Sequence, residues 1–482
     1  MTRAASRLRR DAAALRLGMR NTFLILLLAV AAAGAQAQSE FDRLTSHAAP
    51  KPLAEGALTE DWPRFLGAHD NSTSAETHLL REFPEGGPTL LWEVARGQGY
   101  AAPAIVGDRL LHYHNLDDVD VLECLHAVTG KQFWEVQIPN KYRDRYGFAN
   151  GPRASPTVVD GKIYTLSVTS WLRCHNLDDG KLIWERDLAT DYKVPQYFFG
   201  HGPTPLIVGD RVIMNIGGEK GVCVGAFHKD TGETIWETKH VWQASYASPQ
   251  VAEFHGKQQI LVFAGGESDP PIGGLLLIDP ETGKLHDEFP WRGKKFESAT
   301  GSSPFAIGNN RVLISETYTE GAVLLEVDES FKFEEVWKAP EFKLHWMQPL
   351  LIDDHFYAFT GRNEPDAGLD CWKLDSGERA WREEFMWPVE VNGQSFKLSF
   401  FRGSLLQADD TIYTLGEMGT LGILDLSPKG GTIRQQVDLF TAQSSWTPPA
   451  VSKGLLYICQ NSRGLFDSST PRLLCYDLRR SE

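Results

Sequence analysis

The chain has 482 residues, 42% of them hydrophobic and 23% charged, enough apolar side chain for a continuous globular core. Its formal net charge is −15, and the first 37 residues hold six arginines against one aspartate, so the remainder is more acidic still. A surface of that sign repels nucleic acid and anionic lipid, and no nucleic-acid partner is expected.

The run from Thr22 to Ala33 is apolar, follows Arg16 and Arg20, and is trailed by the small-x-small stretch Ala35-Gln36-Ala37. It is too short to span a bilayer and reads as a secretory signal over residues 1–37. Met19, followed by Arg20 and Asn21, would make a compact leader by itself, so Met1 and Met19 are both usable starts. No cysteine directly follows the apolar run, which argues against a lipoprotein. The expectation is a periplasmic or secreted monomer with no transmembrane segment. Residues 38–60 are polar and read as a tether. Asn71-Ser72-Thr73 matches a glycosylation sequon, whose relevance depends on the host.

From residue 61 onward one short phrase recurs eight times. It begins at Ala102-Pro103, Ser155-Pro156, Thr204-Pro205, Ser248-Pro249, Ser303-Pro304, Gln348-Pro349, Gly403-Ser404 and Pro448-Pro449, at intervals of 44 to 55 residues. A period near 50 is too long for leucine-rich or helical repeats and suits a propeller blade of four short strands. Period-two runs such as Lys162 to Val168 support strands, and long amphipathic helices are not evident.

Most repeats end alike. A turn such as Thr129-Gly130-Lys131, Asp179-Gly180-Lys181 or Thr231-Gly232-Glu233 precedes a tryptophan on the fourth strand. The glycine supplies the positive φ that a hairpin reversal demands. The repeat tryptophans Trp92, Trp134, Trp184, Trp236, Trp337 and Trp381, with Trp291, are read as packing between blades. Repeat seven lacks one, with Ile433 near its place. Repeat eight stops at Leu478 without a fourth strand, while Leu90–Val94 stands unpaired before repeat one. Pairing the two would close the ring and leave no strand edge open. The predicted fold is all-β: an eight-bladed propeller over residues 61–482, closed by an N-terminal strand on the last blade.

Six cysteines in an exported chain invite disulfides. However, Cys124, Cys174 and Cys371 each lie six residues before a turn glycine, and Cys475 matches them in repeat eight. That points to a repeated small buried position, favouring free thiols over bridges.

The run from Cys124 to Trp134, with Thr129-Gly130 before the tryptophan, closely resembles the repeat of the PQQ-like β-propellers. That superfamily includes quinone-dependent alcohol dehydrogenases and the propeller lipoprotein of the outer-membrane-protein assembly machine. The stretch Asp61-Trp62-Pro63-Arg64-Phe65-Leu66-Gly67 resembles the opening segment of an exported branch. Resemblance covers about residues 61–478 and speaks for the fold more than for an activity. By the same resemblance, the dehydrogenases hold quinone with a pair of adjacent cysteines and bind Ca²⁺ beside an aspartate base. No two cysteines are adjacent here, no Ca²⁺-site motif is recognisable and no Cys-x-x-Cys-His haem site is present. No cofactor is therefore expected, with PQQ and Ca²⁺ kept only for a dehydrogenase alternative.

Other chemistry is thinly supported. His112-Tyr113-His114 puts two imidazoles on one side of a strand, but two ligands without a third make no metal site, and none is predicted. The carboxylate-rich loops Asn115–Asp120 and Asn363–Asp370 do not match the pattern of an EF-type loop, and no Ca²⁺ is expected there. Gly-x-Ser-x-Gly and Gly-rich nucleotide loops are absent, with Gly97-Gln98-Gly99 read as a simple loop.

The two faces of the ring are expected to differ. One carries tight turns; the other carries the variable loops, where function usually gathers. Its blade-to-blade crossings are aromatic and basic, from Lys141 to Arg153, Gln196 to His201, His345 to Met347, Ser399 to Arg402 and Ser444 to Trp446. Arg153, His201, Trp346, Arg402 and Trp446 are the candidate ligand- or partner-binding residues at the channel mouth; catalytic residues are not identified. Two functions stay open. The favoured one is a non-catalytic module binding a protein, peptide or polymer. The other is a quinone-dependent oxidoreductase, with Trp346 or Trp446 stacked on the quinone and Arg153 or Arg402 pairing its carboxylates.

Overall fold

Apolar and polar side chains alternate between tight turns, so each repeat folds into a four-stranded antiparallel sheet. The computed structural model describes residues 42–480 apart from 364, 365 and 392; the predicted signal over 1–37 lies outside the described residues. Blade one is Ala104–Val106, Arg109–Leu116, Val119–His126 and Gln132–Pro139, running from the axis outward, and blades two to seven repeat that order. Blade eight supplies only Ala450–Ser452, Leu455–Gln460 and Arg472–Asp477 from its own repeat. Its fourth strand is Thr89–Ala95, antiparallel to Arg472–Asp477 with Trp92 opposite Cys475. The ring closes as the strand count required.

The tether reading needs correction. Leu44–Ser46 adds a fifth strand outside Thr89–Ala95, with Leu44 opposite Val94. The Lys51 N–H then donates to Asp477 Oδ2 at 2.8 Å, and Arg479 Nη1 donates to the Lys51 carbonyl at 2.6 Å. Polar residues here cover an edge that would otherwise stand open. The compact unit begins at Leu44.

Neighbouring blades are joined by tryptophan. Nε1 of Trp92, Trp134, Trp184, Trp236, Trp337 and Trp381 donates to a carbonyl of the next blade, at 2.7 to 3.1 Å. Its ring lies on the turn glycine. At Gly180, where φ is +71°, a Cβ would stand 2.6 Å from the Trp134 ring. The glycine therefore serves the turn and the packing together. Trp291 joins its blade to the next from a different register position: Asp287 is the residue opposite Leu277, and it accepts the Phe333 N–H at 2.8 Å. Trp291 sits four residues on and donates to the Gly321 carbonyl. In blade seven the matching residue is Gln435 rather than Ile433, and it bonds both backbone groups of Phe83.

Around the axis the repeat phrase has its own logic. The N–H of Ala102 donates to Ser155 Oγ, that of Ser155 to Thr204 Oγ1, that of Thr204 to Ser248 Oγ and that of Ser248 to Ser303 Oγ, at 2.9 to 3.2 Å. The following proline holds each residue extended for this purpose. The chain of hydroxyls ends after blade five, where repeats six to eight offer Gln348, Gly403 and Pro448.

There a finger of chain that sequence reasoning missed fills the channel. Residues 60–76 enter from the tight-turn face, with Trp62 bridging Ile105 of blade one and the Val158 N–H donating to the Pro63 carbonyl. The finger reverses at Gly67, tied by Arg64 Nε to Asp70 Oδ1 at 2.7 Å, and returns as Thr73–Ser74 parallel to Ser404–Ala408. Burial raises the Asp70 carboxyl above its usual range, with Arg64 opposing that effect. A hairpin, Trp387–Val391 with Gln394–Leu398, is inserted between blades six and seven.

All six cysteines are free and buried. Burial pushes the Cys124, Cys174 and Cys223 thiols up to about 12. The folded protein should therefore resist alkylation at pH 8 and take up label at all six sites once denatured without reductant, counted by intact mass. Deleting residues 42–58 should cost on the order of 2 kcal/mol in urea unfolding, because strand pairing and both Lys51 bonds are lost.

Candidate functional site

The long crossings converge on the mouth opposite the entry of the finger. At its centre is a buried ion pair: Arg402 donates through Nε to Glu417 Oε2 at 2.9 Å and through Nη2 to Oε1. Trp446 Nε1 donates to the same Glu417 Oε1 at 2.6 Å, and Arg402 Nη1 donates to the Arg362 carbonyl. The guanidinium lies 4.6 Å from the Trp346 ring centre and 5.5 Å from that of Trp446, which are themselves 4.9 Å apart. Planar arginine satisfies the carboxylate and stacks on indole at once. Below them Phe65 and Leu66 of the finger form a floor, and the space between holds about 20 Å³.

The structure brings Trp346, Arg402 and Trp446 together, joins Arg153 to them through Tyr100, whose ring is 5.1 Å from Trp446, and sets His201 in other contacts. Arg153 donates to Asp144 Oδ2 at 2.9 Å and to the Ala149 carbonyl at 2.7 Å, with Tyr100 and Tyr142 against its guanidinium. Desolvation pushes the Tyr100 and Tyr142 hydroxyls up to about 12. His201 is 1% exposed and brackets two loops: its Nε2 donates to the Asn215 carbonyl, so Nδ1 accepts from Ser170 Oγ. Burial lowers it to about 4. His345, lowered to about 3 by burial and then by Arg402 and Arg362, sits beside Trp346. Glu417 and Asp144, the acidic partners of the two arginines, were not singled out from sequence; each lies in a different loop from its arginine or some residues away.

Among the described residues, one group of three side chains could meet on a metal ion: His112, His114 and Glu123, with ligand atoms within 4.8 Å of one another. The third residue absent from the sequence argument is thus Glu123, facing His112 across the neighbouring strand. Hydrogen bonding fills the direction a metal would need. The Gly97 N–H donates to His114 Nδ1 at 2.9 Å, which puts the ring hydrogen on Nε2, 3.0 Å from Glu123 Oε1. The trio pins two strands inside the barrel wall. Of the carboxylate-rich loops, Asp120 accepts from Asn115 and Asn140, while Asp370 pairs with Arg382 and Thr360; both carboxyls are buried and served by protein groups.

Outward from Trp446 runs a chain of rings whose partnership sequence did not reveal. Phe148 lies 5.4 Å from Trp446 and 5.6 Å from Phe199. Tyr146, Phe198 and Phe296 extend it, with centres 5.5 to 5.7 Å apart.

Eight blades of four strands, most of them joined by tryptophan over a turn glycine, define a PQQ-like β-propeller. The family described as outer membrane protein assembly factor BamB matches residues 83–237 and 117–383, and the chain belongs to it. No curated protein sequence matches. Among solved structures, BamB from Moraxella catarrhalis aligns with 82% of this chain and 98% of its own at 13% identity and a TM-score of 0.50. A europium-containing methanol dehydrogenase aligns with 87% of this chain and 98% of its own at 10% identity and a TM-score of 0.65. The quinohemoprotein alcohol dehydrogenase of Comamonas testosteroni aligns at 12% identity over 88% of this chain and 81% of its own, with a TM-score of 0.59. At such identities the likeness shows the fold alone.

Because the unfolded chain protonates His201 near the usual 6.5 and the folded chain only near 4, acidification favours unfolding. Stability should be fully present above pH 6.5 and fall by on the order of 2–3 kcal/mol between there and pH 4. Urea midpoints measured across that window should flatten in His201→Gln relative to the native chain.

Proposed function

We propose that this protein is an exported, non-catalytic propeller that binds another protein or a polymer through its loop-rich face. The observation that carries the reading is that the charged groups at the mouth already have protein partners. Between the finger floor and the Trp346 and Trp446 rings lies a cavity of about 20 Å³, room for roughly one water, whereas ligand pockets for organic cofactors run to hundreds of Å³. Arg402 and Arg153, the groups expected to pair a quinone's carboxylates, are committed to Glu417 and Asp144. Membership of a family described by an assembly factor supports a partner-binding role. The apolar Thr22–Ala33 run supports export, and no helix among the described residues is long and apolar enough to cross a membrane. Closed strand edges support a monomer.

The test is spectroscopic and enzymatic. Adding PQQ with Ca²⁺ should leave no quinone absorbance on the protein after desalting, and alcohols should give no dye reduction. A retained quinone band with turnover would overturn the reading in favour of a dehydrogenase.

A further inference from the structure

Resting on the scaffold reading, we propose that the docking site lies off the axis, on the crossings of blades one to five, and takes an acidic peptide segment with apolar anchors. Three rings there are open to solvent in spite of their size: Tyr146 is 56% exposed, Phe148 47% and Phe296 46%. They form a continuous strip with Phe198 and Phe199, and exposed aromatic surface of this kind marks interaction sites.

The strip is held in place before any partner arrives. Tyr142 Oη donates to the Phe198 carbonyl at 3.4 Å and Arg145 Nη2 to the Gln196 carbonyl at 3.3 Å, which ties two crossings together. Tyr246 Oη accepts the Phe199 N–H at 3.0 Å and donates to Glu267, fixing a third element beneath. Rigid rings lose little entropy on binding, which favours affinity.

Charge selects the partner. The whole chain is at −15, yet the strip is flanked by exposed Lys141, Arg145, Lys294 and Lys295, against exposed Glu297, while Arg143 is paired with Asp118. A local basic patch on an acidic protein draws acidic ligands to that spot and repels them elsewhere. Ring geometry then separates peptide from nucleic acid. Tyr146 and Phe198 meet at 84°, Phe148 and Phe199 at 74°, Phe198 and Phe296 at 75°. Edge-to-face rings make notches for single apolar side chains; they do not present the parallel open faces on which successive bases stack.

The experiment uses the full chain and four fluorescein-labelled probes, followed by anisotropy at 50 and 300 mM salt. The probes are a twelve-residue peptide of alternating acidic and Phe or Leu residues, its charge-reversed Lys counterpart, an acidic peptide with Gly and Ser for the apolar residues, and a single-stranded oligothymidine. The first should bind at least tenfold more tightly than the other three. Phe148→Ala with Phe296→Ala should weaken it tenfold or more at both salts. Lys294→Glu with Lys295→Glu should weaken it mainly at low salt. All four side chains are exposed, so unchanged circular dichroism and melting are expected to accompany the loss. Preference for the lysine peptide or the oligonucleotide would overturn the partner chemistry, as would no binding by the acidic apolar peptide. Equal affinity of native and variant chains would overturn the location and leave the scaffold reading standing, since that reading fails only with quinone binding and turnover.

Discussion

The contact between a tryptophan on one blade and a turn glycine on the next holds the ring together. Each junction buries a large ring and satisfies its one polar hydrogen on a neighbouring carbonyl, so little is left unpaired at the seam. The glycine's missing side chain makes the approach possible, and the same glycine makes the hairpin turn. One dipeptide thus sets both the shape of a blade and its distance from the next. Where the tryptophan is displaced or lost, other polar groups join the seam: Asp287 beside Trp291 in blade four, and Gln435 with the backbone of Phe83 in blade seven.

The centre of the ring is less regular than its rim. Hydroxyls preceding proline link blades one to five, and the finger takes over where those hydroxyls stop, pairing with Ser404–Ala408. Asymmetry at the axis then propagates to the mouth. Phe65 and Leu66 raise the floor beneath Trp346 and Trp446, and the Arg402–Glu417 pair lies against those rings. The exposed rings lie farther out, at Phe148 and Phe296.

Repeats, turns and closure were legible in the residues because they recur, and because period-two patterning with Gly turns has few physical solutions. Leu90–Val94 could be assigned to blade eight by counting alone. Single-copy features were not legible. Nothing in Asp61–Gly67 announces that it enters the channel, since Trp62 and Phe65 would look the same in any buried loop. Residues 44–60 are polar, yet the bonds they make are backbone bonds to an edge, which composition does not report. At the mouth, aromatic and basic residue types were visible, but their partners Glu417 and Asp144 come together only through the fold. The third member of the His112 and His114 group, Glu123, is found by strand register, which spacing along the chain does not give.

Closure by Thr89–Ala95 also governs when the protein can become itself. Trp92 waits for Cys475, so a strand made early is completed by the last one of the ring. Pairings so distant in sequence carry a large loop-closure cost and fold slowly. Until Arg472–Asp477 emerges, the edge of Thr89–Ala95 away from Leu44–Ser46 stands open to any other strand. For a chain synthesised from its N-terminus, the ring waits on Arg472–Asp477, and any product that stops short of it is left with an edge that invites association.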